Sequence, residues 1–242
     1  MTGDPASVFA RVTTLPAIVE AGIEGRLGSI ARDGGAARLS LGCYEMFGGD
    51  AGSPGAHQLI AGAARHELVY GNDPGWRAAI LELRGDQVVD RPMTEFDAGG
   101  LDIAALARFA EAVPPAFKVH RLDVELAGQL DAELEPHGLQ VFPSARDFVA
   151  HGLGFGAVTE EGVLACAATS YTLSLHYLEV AIATRPAFRG RGLAQVVGAA
   201  LMREALARNL VPCWSASNPV SKRLAERLGY RPAGECEVLL LK

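Results

Sequence analysis

The segment 176–208 constrains the fold of this chain more than any other part of the sequence. It opens with "HYLEVAIAT", an apolar run typical of a buried strand, and passes through the basic turn "RPAFRGRG". The residues after the turn carry apolar side chains at offsets 0, 3, 4, 7 and 8, the spacing of one helix face: Leu193, Val196, Val197, Ala200 and Leu201. A strand that runs through a glycine turn into an amphipathic helix predicts an α/β fold.

The basic turn is a candidate anion site. The first N–H groups of a helix have no intrahelical acceptor, and the helix dipole adds partial positive charge there. Gly190 and Gly192 remove Cβ atoms beside those groups, while Arg189 and Arg191 supply charge, so the expected anion is a pyrophosphate. A Gly-Lys-Ser/Thr ending is missing, and Gln195 stands where a dinucleotide fingerprint needs its third glycine. An ordinary arginine-rich surface loop is the alternative.

Strand and helix patterns alternate through the rest of 116–242. Ser144 and Asn218 stand in N-cap positions, and the helix after Asn218 is predicted to bury Val220, Leu224 and Leu228. The helices are predicted in "VELAGQLDAEL", "SARDFVAHGLG" and the segment from Pro219 to Gly229. The strands are predicted in "FKVHRLD", "FGAVTEEG", "VLACAATSYTL", "VPCWSAS" and "ECEVLLLK". This pattern predicts a mixed, mostly antiparallel sheet with flanking helices.

Pro114-Pro115 predicts a boundary between a smaller α/β domain at 1–115 and a second domain at 116–242. In the first domain, "AAILELRGDQVVDRPM" is interpreted as two strands around a turn, and "LDIAALARFAEAV" as a helix. We recognise no catalytic motif there. Residues 1–116 carry 9 Lys+Arg against 15 Asp+Glu, whereas residues 117–242 carry 13 of each. All net acidity is therefore in the first half, which favours a cationic partner.

Composition excludes several classes of protein. Hydrophobic residues make up 49% of the chain, which is enough for folded cores, and no window is apolar over the roughly 18–20 residues that a spanning helix needs. The N-terminus lacks a signal peptide pattern, so a cytoplasmic location is expected. The four cysteines are widely spaced, and no metal site is predicted. The local positive patch around Arg185, Arg189, Arg191 and Arg203 favours a compact anionic ligand over nucleic acid. An oligomer is possible, but no pattern indicates one.

Two motifs together resemble the GNAT superfamily of acyl-CoA-dependent N-acyltransferases. Arg189-x-x-Gly192-x-Ala194 after a strand resembles its phosphate-loop signature, and "SNPVSKRLAERLGY" resembles its second signature, an Asn-initiated helix that ends in Leu-Gly-Phe/Tyr. Within the superfamily, the motifs look most like the branch typified by the zwittermicin A resistance acetyltransferase. The resemblance covers about 117–242 and implies an enzyme that uses acetyl-CoA.

The resemblance also implies where the cofactor binds. In GNAT folds the strand before the phosphate loop splays from the next strand, and pantetheine pairs with its backbone, here Ile182, Ala183 and Thr184. Asn218 and Ser221 would approach from the other side of the cleft, although Asn218 could equally be an N-cap only. The pyrophosphate would contact the amides of Arg189, Gly190, Arg191, Gly192, Leu193 and Ala194.

Glu179 is the candidate catalytic base. Strand alternation places it on the face opposite Leu178 and Val180, at the strand position where many GNAT enzymes have a base. A salt-bridged carboxylate without a catalytic role is the alternative. Ala225 replaces the tyrosine that protonates the thiolate in many GNAT enzymes, so Ser221 is the candidate thiolate partner. Weaker site candidates in the same region are Tyr171, His176 and Tyr177.

These observations predict an acetyl-CoA-dependent N-acetyltransferase that acts on a small amine, and antibiotic modification or self-resistance is a plausible setting. A protein N-acetyltransferase is one alternative. The other is a non-catalytic acyl-CoA sensor, in which the first half transmits the signal.

Overall fold

The computed structural model describes residues 5–130 and 139–242, and the chain divides into two compact units. The first unit comprises Met1–Glu95 with Gly234–Lys242, and the second comprises Phe96–Ala233. The expected boundary at Pro114-Pro115 therefore lies inside the second unit. The helix before these prolines explains the difference, because its buried Leu106 belongs to a core cluster of the second unit.

The first unit is built around a six-stranded sheet. Its helices are α1 (Pro5–Phe9), α2 (Pro16–Ile23), α3 (Ala56–Ala61) and α4 (Pro74–Arg84). Its strands are β1 (Ser29–Asp33), β2 (Ala36–Leu41), β3 (Tyr44–Gly49), β4 (Glu67–Val69), β5 (Val88–Asp90) and β13 (Val238–Leu241). The strand order is β1-β2-β3-β4-β13-β5. The C-terminal β13 thus lies between β4 and β5, and it is antiparallel to both.

The first half of "AAILELRGDQVVDRPM" was expected to be a strand, and this prediction is wrong because the segment lies in α4. The Asp73 side chain accepts hydrogen bonds from the backbone N–H groups of Gly75 (2.8 Å) and Trp76 (3.3 Å). Pro74 occupies the first turn, so the segment carries a complete helix-start signal. Trp76, Ala79 and Ile80 are buried at helical spacing, which selects the helix over the strand. The second half of the prediction is confirmed by β5.

The remaining elements lie in the second unit, except that β6 and β12 each begin or end in the first. The helices are α5 (Ile103–Glu111), α6 (Val124–Gln129), α7 (Ala145–His151), α8 (Leu193–Ala207) and α9 (Pro219–Leu228). The strands are β6 (Met93–Asp97), β7 (Phe117–Arg121), β8 (Gly154–Thr159), β9 (Leu164–Leu173), β10 (Tyr177–Thr184), β11 (Val211–Ala216) and β12 (Arg231–Cys236). The sheet order is β12-β6-β11-β10-β9-β8-β7. Strands β7 to β10 form an antiparallel meander, and β11 is parallel to β10.

Most predicted elements of this unit are confirmed. Ser144 caps α7 by accepting a hydrogen bond from the Asp147 N–H (3.1 Å), and α8 covers the predicted amphipathic segment. The helix predicted over "VELAGQLDAEL" is seen as α6, and the part of that prediction at 131–134 lies outside the described residues. "ECEVLLLK" was expected to be one strand, but Glu235 and Cys236 end β12, and β13 then starts at Val238 in the other sheet. No helix among the described residues is long and apolar enough to span a membrane.

Helix α8 packs closely on β10 and α9 through Gly198. A Cβ atom on this glycine would lie 3.0 Å from Cδ1 of Ile182 and 3.3 Å from Cδ1 of Leu228. Leu193, Val197 and the sheet residue Leu178 are buried in one core cluster. The N-terminus of α8 is therefore held at a fixed position beside the end of β10.

Replacing Gly198 by leucine tests this close packing. We expect Gly198→Leu to lower the free energy of unfolding by about 1–3 kcal/mol, because the added side chain overpacks the contact with Ile182 and Leu228. Chemical denaturation measures the change. Gly128→Leu in α6 is the matched control, since a Cβ there meets no atom within 4 Å, and we expect it to be neutral or slightly stabilising. Equal losses in both variants would contradict the packing explanation.

Candidate active site

Strands β10 and β11 pair at one end and part at the other. They are paired only at Tyr177–Val211, Leu178–Pro212 and Glu179–Cys213. Beyond Glu179, the segment 180–184 pairs with β9 on one edge, and no strand of the described chain pairs with its other edge. The predicted splay of the strand before the phosphate loop is therefore confirmed.

A cavity of about 670 Å³ occupies the opening between the two strands. It is bounded by β10, the basic turn, the end of β11 and the start of α9. All residues that the sequence predicted to contact the cofactor line this cavity: Ile182, Ala183, Thr184, Arg189, Gly190, Arg191, Gly192, Leu193, Ala194, Asn218 and Ser221. Further lining residues that sequence reasoning missed are Val180, Phe188, Gln195, Trp214, Ser215, Leu224 and Arg227.

The basic turn presents open backbone amides at the N-terminus of α8. Gly190 and Gly192 have φ values of 76° and 77°, in the left-handed region that favours glycine. Glycine is favoured at both positions by the positive φ. A Cβ atom on either residue would meet no protein atom within 4 Å, so the space beside the turn is open. Within the described chain, the N–H groups of 190–194 have no hydrogen-bond acceptor. Such amides can bind an anion.

The arginines of the predicted positive patch have different environments. Arg185 donates from Nε to the carbonyl oxygen of Leu164 (2.6 Å), which ties the turn to β9, and it does not line the cavity. Arg189 donates from Nε to the Thr184 carbonyl oxygen (3.3 Å), and the Arg191 guanidinium lies 5.7 Å from the Phe188 ring centroid. Arg203 is exposed on α8 and also lies outside the cavity. Only two of the four arginines are therefore placed to contact an anion.

Arg227 contributes a further positive charge from α9. It is exposed and lines the cavity together with Val220 and Leu224. These three residues share one helix face, since they are spaced four and three positions apart. That spacing could have identified Arg227 from the sequence. Val220 was expected to be buried, but it is 67% exposed because this face of α9 borders the cavity rather than the core.

Two residues at the start of α9 line the wall of the cavity opposite β10. The Asn218 side chain accepts a hydrogen bond from the Ser221 N–H (2.9 Å), so Asn218 is an N-cap that also lines the cavity. Ser221 Oγ accepts a hydrogen bond from Trp214 Nε1 (3.0 Å). The indole N–H can only donate, and the hydroxyl of Ser221 therefore keeps its own proton for another acceptor. Ala225 is fully buried against the core, which leaves no space for a tyrosine.

Glu179 is buried where β10 and β11 part, with a side chain 4% exposed. Ser215 donates a hydrogen bond from Oγ to Oε1 of Glu179 (2.8 Å). The neighbouring Leu178 and Val180 pack into the helix-side core, as strand alternation predicted. Tyr230 donates from its hydroxyl to the Pro212 carbonyl oxygen (2.9 Å). Burial, followed by the Coulombic influence of Cys213 and Glu179, raises the pKa of Tyr230 well above its usual value.

The weaker candidates have structural contacts. Tyr171 is buried, and its hydroxyl oxygen accepts a hydrogen bond from Gln140 Nε2 (2.6 Å). The His176 carbonyl oxygen accepts from the Val211 N–H (2.8 Å), and Tyr177 lies in the paired part of β10. None of these three residues lines the cavity.

Comparisons with known proteins agree with this geometry. A GCN5-related N-acetyltransferase-like protein from Streptococcus suis 89/1591 has the same fold, with a TM-score of 0.84, 24% identity and coverage of 96% of both chains. A putative acetyltransferase of the GNAT family from Novosphingobium aromaticivorans DSM 12444 has a TM-score of 0.56 and 22% identity, over 91% of this chain and 93% of its own. A tandem GNAT protein from the clavulanic acid biosynthesis pathway has a TM-score of 0.57 and 18% identity, over 87% and 80%. No curated protein matches the chain.

The family assignment comes from the sequence over nearly its whole length. The GNAT acetyltransferase family model matches residues 11–239, which includes most of the first unit as well as the second. The part of the chain that carries no recognisable motif thus belongs to the same family pattern. The chain is a member of the GNAT acetyltransferase family, and it is an acyltransferase enzyme.

Proposed function

We propose that the protein transfers an acetyl group from acetyl-CoA to the amine of a small molecule, with Glu179 as the base. The observation that carries this proposal is the cavity between β10 and β11. It combines open amides and arginines at one wall with Ser215, the hydrogen-bond donor to Glu179, at another.

The residues of the cavity fit the chemistry of coenzyme A. The amides of 190–194 and the side chains of Arg189 and Arg191 would hold the pyrophosphate. The unpaired edge of Ile182, Ala183 and Thr184 offers backbone groups to the amides of pantetheine, although the Thr184 carbonyl oxygen already accepts from Arg189. Asn218 and Ser221 would contact the same arm from the opposite wall. Acetyl-CoA supplies an activated acetyl group and a thiolate as the leaving group.

Glu179 accounts for the proton that the acceptor must lose. An amine attacks a thioester only as the neutral species, so a base has to take its proton. A buried carboxylate beside the opening is suited to that role, and its hydrogen bond from Ser215 fixes its orientation. Ser221 would donate a hydrogen bond to the departing thiolate, because its oxygen accepts from Trp214 and its own hydrogen is left for another acceptor. This arrangement replaces the tyrosine that the chain lacks at Ala225.

We further propose that the acceptor is cationic and that the enzyme works in the cytoplasm. The excess of acidic residues in 1–116 favours a positively charged substrate, and we propose that this part of the chain helps to bind it. Modification of an antibiotic amine is the biological setting that we propose. It is supported by the resemblance of the two motifs to the zwittermicin-resistance branch.

The anion role of the turn is tested at Gly192. We expect Gly192→Ala to weaken acetyl-CoA binding at least tenfold, because alanine disfavours the positive φ that aims the amides. Isothermal titration calorimetry measures the affinity. Gly162→Ala is the matched control, since Gly162 has a φ of 82° and an equally open Cβ position, in the turn after β8. If both variants bound acetyl-CoA like the parent protein, the turn would not be the phosphate site.

The role of Arg227 is tested against Arg203. We expect Arg227→Ala to lower acetyl-CoA affinity about fivefold, since it removes one exposed charge from the cavity wall. The loss should shrink as salt concentration rises. Arg203→Ala removes the same charge from α8 outside the cavity and should leave the affinity unchanged. Equal effects of the two substitutions would indicate a general charge effect only.

The catalytic role of Glu179 is tested together with the acceptor. A panel of small amines is screened by mass spectrometry for acetylated products, and Glu179→Gln is compared with the parent on the best acceptor. We expect kcat to fall at least about a hundredfold, with acetyl-CoA affinity within twofold of the parent. Only the ionised carboxylate accepts a proton, whereas protonation of the amine slows both proteins, so activity should fall more steeply on acidification in the parent than in the variant.

Glu204→Gln is the control for Glu179→Gln, because Glu204 pairs with Arg208 on α8 (2.6 Å) away from the cavity. Modification of a protein amine alone would indicate a protein acetyltransferase. Binding of acetyl-CoA without any transfer by the parent would indicate the sensor function instead.

A further inference from the structure

Glu179 does not itself form part of the cavity wall. Its side chain is 4% exposed, and within the described chain the polar side chain that joins it to the cavity is Ser215. The Ser215 Oγ lies 2.8 Å from Oε1 of Glu179 and donates its proton to it. Ser215 is therefore both a residue of the cavity wall and the hydrogen-bond donor to the carboxylate.

The register of the strands explains this placement. Glu179 is the last residue of β10 that pairs with β11, and its partner is Cys213. Ser215 is two residues further along β11 and points to the same face as Cys213. At Ser215 the two strands have already parted, so this residue lines the opening while its hydroxyl still reaches back to the carboxylate.

The other neighbours of Glu179 are less suited to move its proton. Thr172 is its cross-strand partner on β9, is fully buried, and has a hydroxyl with no hydrogen-bond partner among the described residues. The Tyr230 hydroxyl donates a hydrogen bond to the Pro212 carbonyl oxygen, and it stays protonated because its pKa is raised. Cys213 directs its thiol toward the Val211 carbonyl oxygen (3.7 Å). None of these three residues lines the cavity.

We propose that Ser215 is a catalytic residue that relays the proton from the acceptor amine to Glu179. As the amine nitrogen bonds to the acyl carbon, the C–S bond of the thioester breaks and the thiolate leaves, while an N–H bond of the amine breaks and its proton moves to Ser215 Oγ. The proton that Ser215 already shares with Glu179 moves to Oε1, so the hydroxyl is restored and the carboxylate becomes a carboxylic acid. The inference rests on the proposed function, and it adds that the base acts through a hydroxyl without contacting the amine.

The relay is tested by substitutions that remove or keep the hydroxyl. With ethylamine, or a better acceptor from the amine screen, we expect Ser215→Ala to lower kcat/KM about a hundredfold. Ser215→Thr keeps the hydroxyl and should recover activity to within about tenfold of the parent. The double variant Ser215→Ala/Glu179→Gln should be no slower than the slower single variant, since the two groups act as one unit. Thermal unfolding and acetyl-CoA affinity of each variant serve as controls for folding.

Two further measurements separate a relay from a role in orientation alone. A relay moves two protons in one step, so the rate of the parent plotted against deuterium content of the solvent should be curved, whereas a single transfer gives a straight line. Carbon-13 NMR of the ligand-free protein follows the Glu179 carboxyl, assigned with Glu179→Gln. Because a donated hydrogen bond favours the charged carboxylate, the pH midpoint of this signal should rise in Ser215→Ala and return in Ser215→Thr.

Several outcomes would overturn the relay. Parent-like activity of Ser215→Ala beside an inactive Glu179→Gln would show that Glu179 acts directly, and the proposed function would stand. The two-proton step would also be rejected if the losses in kcat/KM of the two single variants multiplied in the double variant. A straight plot of rate against deuterium content of the solvent would reject it as well. If the parent transferred no acetyl group to any amine, the proposed function would fail and the relay with it.

Discussion

The parting of β10 and β11 after Glu179 is the constraint on which the rest of the second unit depends. A parallel pair that stayed in register would satisfy its own backbone groups and close the sheet. Here pairing stops after three residue pairs, and the strand edge beyond it borders a cavity. The diverging parts of β10 and β11 pack against different helices. Ile182 of β10 packs on α8 at Gly198, whereas Trp214 of β11 packs in the core beneath α9. The opening is thus built into the packing of the helices.

The same packing fixes the electrostatics of the site. Helix α8 starts at Gly192, so its open amides are placed beside the end of β10 by the close contact at Gly198. Arg189 is bonded to the Thr184 carbonyl oxygen and Arg185 to that of Leu164, which ties the turn to the sheet on both sides. Positive charge and amide dipoles therefore converge on one end of the cavity, and no carboxylate of the described residues lines its wall. The buried carboxylate lies where the two strands still pair.

The sequence was sufficient for features that depend on short-range signals. The caps at Ser144 and Asn218, the stripe of α8 and the glycine turn need only a few neighbouring residues, and each was found. Ser215 could not be identified, because its contact with Glu179 spans 36 positions and depends on the register of two strands. The place of β13 in the first sheet could not be predicted for a similar reason, because its partners β4 and β5 are remote in the chain. Long-range pairing leaves no local pattern.

Two serines of the cavity wall have opposite hydrogen-bonding roles. Ser215 donates a hydrogen bond to Glu179, so its oxygen is the part that can still accept a hydrogen bond from the cavity. Ser221 shows the reverse, because its oxygen accepts from the Trp214 indole and its proton stays available. Acyl transfer to an amine needs both directions, since the nucleophile loses a proton and the departing thiolate gains one. Both serines lie in the short stretch from β11 to α9, so under the proposed mechanism one local segment would supply both the acceptor and the donor.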